Sequence, residues 1–192
     1  MKRMLILPLC LLLLCGGCGK KSGAAADIQA QYGRIHTAQM EAEVTFHTPQ
    51  ENRSFTLQCA FTPESSTVTV TAPETVAGVS ATVSGDELTI AYDGAVLSAG
   101  SVGQFGPVNA LPLLLRAIGS GYLLEESRET LEDTDCCRLT LDTTAGDTPL
   151  TCTAWLDAET LLPRYAEFSA DGAVVVSVKL LAFSCTLNEK EN

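Results

Sequence analysis

Positive charge is in short supply in this chain. Twelve Lys and Arg stand against 23 Asp and Glu, a formal net charge of −11 over 192 residues. A protein that grips phosphates needs a basic surface, so nucleic acid is excluded as a partner. The acidic balance reads as a solvated surface that aids solubility. Histidine is scarcer still, with only His36 and His47, and no Cys-x-x-Cys pair occurs. The ligand spacing of a zinc site is missing, and no metal or cofactor is expected. No catalytic motif is complete either. Ala99-Gly100-Ser101-Val102-Gly103 resembles a degenerate nucleophile elbow, but that device needs a strand-to-helix turn in an α/β sheet with His and acid partners. Here the neighbourhood reads as antiparallel strands, and the glycines serve better as a hinge beside a helix. The acid pairs Glu125/Glu126 and Asp133/Asp135 read as a solvated edge, because glycosidase carboxylates need a cleft and a fixed separation. The expectation is a protein that is not an enzyme.

A membrane span is also missing. The apolar stretch Met4–Leu14 is far shorter than the ~20 residues a span requires. Preceded by Lys2 and Arg3, it has the form of a targeting leader. Leu14-Cys15-Gly16-Gly17-Cys18-Gly19-Lys20 follows. Small residues before a cysteine resemble the lipobox of bacterial lipoproteins, whose cysteine is diacylated and becomes the new N-terminus. Cys15 stands where Leu is usual, three positions before Cys18. It is itself preceded by the bulky Leu14, which leaves Cys18 as the lipidation site. The expected organisation is a signal peptide at 1–17, lipidated Cys18 with a short linker at 18–26, and one domain at 27–192. Gly19–Ala26 reaches roughly 30 Å at about 3.5 Å per residue, which keeps the domain near its membrane. Two acyl chains anchor stably where one is marginal. The expected address is extracytoplasmic, lipid-anchored to the cell membrane of a Gram-positive bacterium.

What the chain has in quantity is alternation. A hydrophobic content of 46% suits one domain with a real core. Cys137, Leu139 and Leu141 alternate with Arg138, Thr140 and Asp142; Leu150, Cys152, Ala154 and Leu156 alternate with Thr151, Thr153 and Trp155. That period of two marks half-buried strands. Asp171-Gly172 predicts a tight hairpin turn before the long apolar strand Ala173–Cys185. Together Asp135–Cys185 reads as a four-strand meander. Earlier in the chain the same signal runs through Met40–His47, Phe55–Phe61, Thr67–Thr71, Val79–Val83, Leu88–Tyr92 and Ala95–Ser98. His47 falls on the solvent side. Two helices are expected. One is capped by Asp27, with Ile28, Tyr32 and Ile35 as its stripe; the other runs from Asn109 to Gly119, with Leu111, Leu114, Leu115 and Ile118 as its stripe. The acidic stretch Glu125–Asp135 reads as a surface wrap, or in part as a strand. Cys59, Cys136, Cys137, Cys152 and Cys185 remain after the leader, an odd number. Cys137 and Cys152 share a face and are candidates for a diagonal bridge, but small hydrophobes in a core are the favoured reading.

About ten strands at about 4.8 Å spacing span nearly 50 Å, and two helices about 10 Å across cover less than half of that. The uncovered apolar face either curls shut or holds something hydrophobic. The candidate cavity residues are Phe46, Phe55, Leu57, Phe61, Val70 and Ile90 on strands, and Leu111, Leu114, Leu115 and Ile118 on the second helix.

The order of these elements resembles the LolA-like fold, which includes lipoprotein carriers, mycobacterial lipid-binding lipoproteins and a clostridial spore-germination lipoprotein. The local match is Trp155-Leu156-Asp157-Ala158-Glu159-Thr160-Leu161-Leu162-Pro163, followed by Glu167–Val178 around Asp171-Gly172. The resemblance implies an α+β, mainly antiparallel, half-open barrel with two short covering helices. Some members carry acyl chains and others contact proteins. Two functions follow as expectations: binding of a lipid or acylated ligand in the concavity, or docking of a cell-envelope or spore-cortex enzyme. A hydrolase is the third and weakest candidate.

Overall fold

The computed structural model describes residues 24–85, 87–101 and 105–188. The leader at 1–17, Cys18, linker residues 19–23, and Val102 and Gly103 of the elbow-like segment lie outside them. Helix α1 (Ala24–Tyr32) leads into β1 (Ile35–His47), β2 (Asn52–Phe61), β3 (Ser65–Ala72), β4 (Ser80–Ser84), β5 (Glu87–Tyr92) and β6 (Ala95–Ser101). Helix α2 (Ala110–Ser120) then passes to β7 (Tyr122–Leu131), β8 (Thr134–Ala145), β9 (Thr148–Asp157), β10 (Pro163–Ala170) and β11 (Ala173–Leu187). All eleven strands form one sheet in the order β6-β5-β4-β3-β2-β1-β11-β10-β9-β8-β7. Two meanders are joined where β11 returns beside β1, and β6 and β7 are the two edges. The sheet curls far enough for α2 to pack on both β2 and β8, yet it does not close. This is the half-open barrel with two short helices that the LolA-like resemblance implies.

Tight turns hold the meanders together. Asp93-Gly94 and Asp171-Gly172 both take positive φ, at 48° and 79° and at 50° and 79°, as a two-residue type I′ hairpin turn requires. Elsewhere the boundaries differ from the sequence reading. Helix α1 starts at Ala24, so Asp27 lies in its first turn, where a carboxylate suits the helix dipole, and Ile35 opens β1. Asn109 does precede α2, but its Oδ1 accepts the Gly106 N–H at 2.9 Å instead of capping the helix. The acidic stretch Glu125–Asp135 divides between β7 and β8. An edge strand carries charge on both faces, which erases the alternation that marks the other strands.

The spacing predicts one apolar stripe on α2. In the structure Ala110, Leu111, Leu113, Leu114, Leu115, Ala117 and Ile118 are all buried, and Arg116 and Ser120 stay outside. The helix lies in the trough of the sheet with α1 packed on it, so it is covered from two sides. Glycines permit that approach: a Cβ on Gly119 would stand 3.0 Å from the Gly33 nitrogen. Gln29 Nε2 donates to the Gly121 carbonyl and the Tyr32 hydroxyl to the Leu161 carbonyl, both at 2.8 Å. Each Leu or Ile sealed in this way contributes about 1.5–3 kcal/mol. The core therefore lies under the helices, and the rest of the inner face must be followed strand by strand.

Candidate functional site

Side chains opposite one another in a sheet share a face, so burial can be traced along a row. From β1 through β11, β10 and β9 to β8, one row reads Val44, Val178, Ala166, Ala154 and Leu139. All five are 0% exposed. In the other direction a row reads Met40, Cys59, Val68, Ala81, Ile90 and Leu97, from β1 to β6. It begins the same way, with the first four at 3%, 1%, 3% and 3% exposure. Ile90 is then half-buried and Leu97 is 65% exposed. The helices end before the sheet does.

The β3–β6 arm keeps its alternation. Val68, Ala81, Val83, Leu88, Ile90 and Leu97 face inward, while Thr67, Thr69, Thr82, Thr89 and Ser98 face outward. Thr67 and Thr82 join hydroxyls at 2.9 Å on the outer side. Among the described residues of β3–β6, the one charged side chain, Glu87, is on the outer face beside Ser84. The inner surface of the arm is apolar apart from Ser66, which is buried with Val68, Ala81 and Val83, and it opens to solvent only from β5 outward. Tyr92 at its end is 52% exposed.

The ten cavity residues expected from sequence divide into two groups. Leu57, Leu111, Leu114 and Ile118 are fully buried, and Leu115 and Phe61 nearly so. Phe61 and Leu115 do touch a small hollow of about 220 Å³ at the C-terminal ends of the helices. Phe46, Phe55, Val70 and Ile90 keep partial exposure. Phe46 and Phe55 meet edge-on at 6.2 Å, and Val70 stands opposite Leu57. Phe105, ahead of α2, tilts against Phe168 at 4.9 Å and covers the apolar face of β10. The four half-exposed residues, with Leu97, make up the candidate surface. Leu97 was missing from the expectation because the four residues Ala95–Ser98 beside a glycine-rich run are too few to fix which face they occupy.

A second feature, on the other side of β1, is a groove of about 720 Å³ lined by β11 residues Lys179–Phe183, the β9–β10 loop, and Leu131 and Glu132 at the end of β7. In sequence its signal is an unequal hairpin: eight residues in β10 against 15 in β11. Asp157 shapes the loop by accepting the backbone N–H groups of Thr160 and Glu159 at 2.9 and 3.0 Å. Those bonds hold its carboxyl below the usual aspartate range, helped by Arg164. On the outer face Trp155 donates from Nε1 to Glu129 at 3.0 Å, with Arg138 over its ring at 5.7 Å and Tyr165 beside it at 5.4 Å.

The remaining candidates are structural. His47 is held by Asn52 at 3.2 Å and Ser177 at 3.0 Å. All five described cysteines are free. Cys137 stands opposite Leu156 and Cys152 opposite Leu141, an offset of roughly 13 Å along the strand, beyond disulfide reach. Burial pushes the Cys59 and Cys152 thiols up to about 12, so both stay protonated and unreactive. Among the described residues, no group of three or more His, Cys, Asp or Glu is placed to hold a metal ion. Among them, too, no helix is long and apolar enough to cross a membrane.

No family model matches the chain, and no curated protein matches it. Solved structures do. An uncharacterised conserved protein from Thermus thermophilus aligns over 87% of this chain and 90% of its own at 12% identity, with a TM-score of 0.51. A DUF1329 family protein from Desulfovibrio piger aligns over 87% and 94% at 12% identity, with a TM-score of 0.50. A LolA superfamily protein from Nitrosomonas europaea covers 87% and 94% at 14% identity, with a TM-score of 0.43. At these identities the likeness is one of fold: an open, curved antiparallel sheet with helices in its hollow.

Proposed function

We propose that this chain is a membrane-tethered binding module without catalytic activity, which takes a lipid or another acylated molecule on the inner face of the β3–β6 arm, where β5 and β6 run out beyond the buried core. One observation carries the reading: the apolar row from Met40 to Leu97 continues past the last residue that a helix covers. An acyl chain laid along Phe55, Val70, Ile90 and Leu97 would remove from water the surface that the helices leave bare, at about 25 cal/mol per Å². Among its described residues the arm presents no charge inward, which suits a ligand with little to hydrogen-bond. The fully buried α2 residues belong to the support of this surface and not to its lining. The tether is Cys18, and a linker of a few residues keeps the arm within reach of lipid.

The test is native mass spectrometry of the chain from Ala24 onward, purified without detergent, together with titration by a polarity-sensitive fluorescent probe. Retained lipid mass, or probe binding that added palmitate displaces, is the expected result. A lipid-free protein that leaves the probe dark would overturn the reading.

A further inference from the structure

Strands β10 and β11 form a hairpin of unequal arms. Their register ends at Tyr165 opposite Lys179, while β11 runs on to Leu187, paired with β1 on its other side. Residues 181–187 therefore have a strand on one side, and among the described residues no strand lies on the other. In antiparallel pairing, alternate residues turn both N–H and C=O to opposite neighbours. Every second residue of this stretch is thus placed to offer a donor and an acceptor on the side that β10 leaves unpaired, beside the 720 Å³ groove at residues 181–183, where Tyr32 of α1 stacks on the Phe183 ring at 6.2 Å.

The side chains make that edge unusual. Natural sheet edges are blunted by charge, proline or a covering element, and β7, with Glu125, Glu126, Arg128 and Glu129, follows the rule. Residues 181–187 read Leu-Ala-Phe-Ser-Cys-Thr-Leu, with no charge and no proline. Leu181 is the extra residue of a bulge, because Glu41 pairs with Ala182 and Ala42 with Leu180; it is 55% exposed. Leu131, Leu162 and Phe183 line the groove around it. At the mouth Lys179 and Arg164 are already held by Glu132 at 3.1 Å and Asp157 at 4.0 Å.

We propose that this edge binds an extended segment of a partner protein by strand addition. The occupant follows from the chemistry offered. A lipid has no row of alternating donors and acceptors, whereas a peptide backbone does. Seven residues at about 3.3 Å each give a site of roughly 23 Å. Apolar side chains at every second position meet Leu181, Leu131 and Leu162, and the net charge of −11 disfavours acidic residues between them. The site lies apart from β3–β6, so the failure of either binding proposal leaves the other standing.

The probe is a random heptapeptide phage library panned on the full chain in detergent micelles. The expected result is enrichment of peptides with apolar residues at alternate positions. Their synthetic forms would bind at least tenfold more weakly to L181K, and equally weakly when alternate amides are N-methylated, and would slow hydrogen exchange within 181–187. V96K, on the exposed outer face of β6, would bind them normally. No enrichment overturns the proposal, as does equal binding to L181K or by methylated peptides. A dimer of the full chain that L181K dissociates would assign the edge to a second copy and overturn it as well. Leu181 is exposed, so circular dichroism of L181K separates lost binding from lost fold.

Discussion

The two wings of the sheet differ in what stands above them. Toward the β7–β11 wing the inner row from Val44 to Leu139 is sealed at 0% exposure, with the helices packed on β8 and β9 and Phe105 on β10, and at the margin Glu126 stands opposite Leu139, where charge takes over from apolar side chains. On the β3–β6 wing the equivalent row stays apolar to the last strand and ends at Leu97, 65% exposed. Both wings alternate with the same period, so both present an apolar inner face. Among the described residues, one is covered along its whole inner row and the other only as far as β4. The difference separates a part of the molecule that holds it together from a part that is free to hold something else.

The largest expected effect tests the sealed wing. Phe168→Ala removes a side chain with 0% exposure and strips Phe105 of its ring partner. Urea denaturation is expected to show a loss of about 3–5 kcal/mol. Leu97→Ala on the open wing is expected to stay within about 0.5 kcal/mol. Equal losses at the two positions would abolish the comparison. Gly119→Ala comes next, because the new Cβ would stand 3.0 Å from the Gly33 backbone. Forcing the helices apart is expected to cost about 1–3 kcal/mol, read in the same denaturation experiment.

Leu97→Lys sharpens the contrast from the other side. It is expected to leave stability within about 0.5 kcal/mol and to weaken hydrophobic-probe binding at least tenfold, about 1.4 kcal/mol. Thiol titration gives a smaller, local reading. With Cys59 and Cys152 pushed up to about 12 by burial, the folded state favours the protonated thiols. Their contribution to stability is whole below the ordinary thiol value of about 8.5 and declines as pH rises toward 12. A disulfide-exchange reagent at pH 8 should therefore leave both unlabelled until urea unfolds the chain. The smallest effect is at Asp157. Its carboxyl is held low by the Thr160 and Glu159 N–H groups. Its contribution is present above the ordinary aspartate range and lost as pH falls through the lowered value. Asp157→Asn should flatten the acid limb of a stability profile, and an unchanged limb would contradict that role.

Much of the fold was legible in the sequence because the strands alternate and their turns announce themselves. Asp171-Gly172 and Asp93-Gly94 lie where a positive φ is needed, and the stripe on α2 lies where the core is. The illegible parts have physical reasons. Strand β7 carries charge on both faces, so its pattern resembles a loop. Leu113 and Ala117 are buried off that stripe, Leu113 beside Asp142 and Pro149 of β8 and β9, a tertiary fact that a helical stripe does not contain. The candidate site was half legible for the same reason: sequence marks a residue as apolar, but only packing separates Leu114, sealed under a helix, from Ile90, left half-bare. Strand length was the signal for the β11 groove, and it became readable once Pro163 and the Asp171-Gly172 turn fixed the extent of β10.

The most direct measurement of the central claim is photo-crosslinking with a diazirine-bearing palmitate, mapped by peptide mass spectrometry on the full chain. Labels on Val70, Ile90 and Leu97, competed away by plain palmitate, are the predicted result. Labels confined to the outer face or to the β11 groove, or none at all, would contradict the claim that the open wing is where this protein takes its ligand.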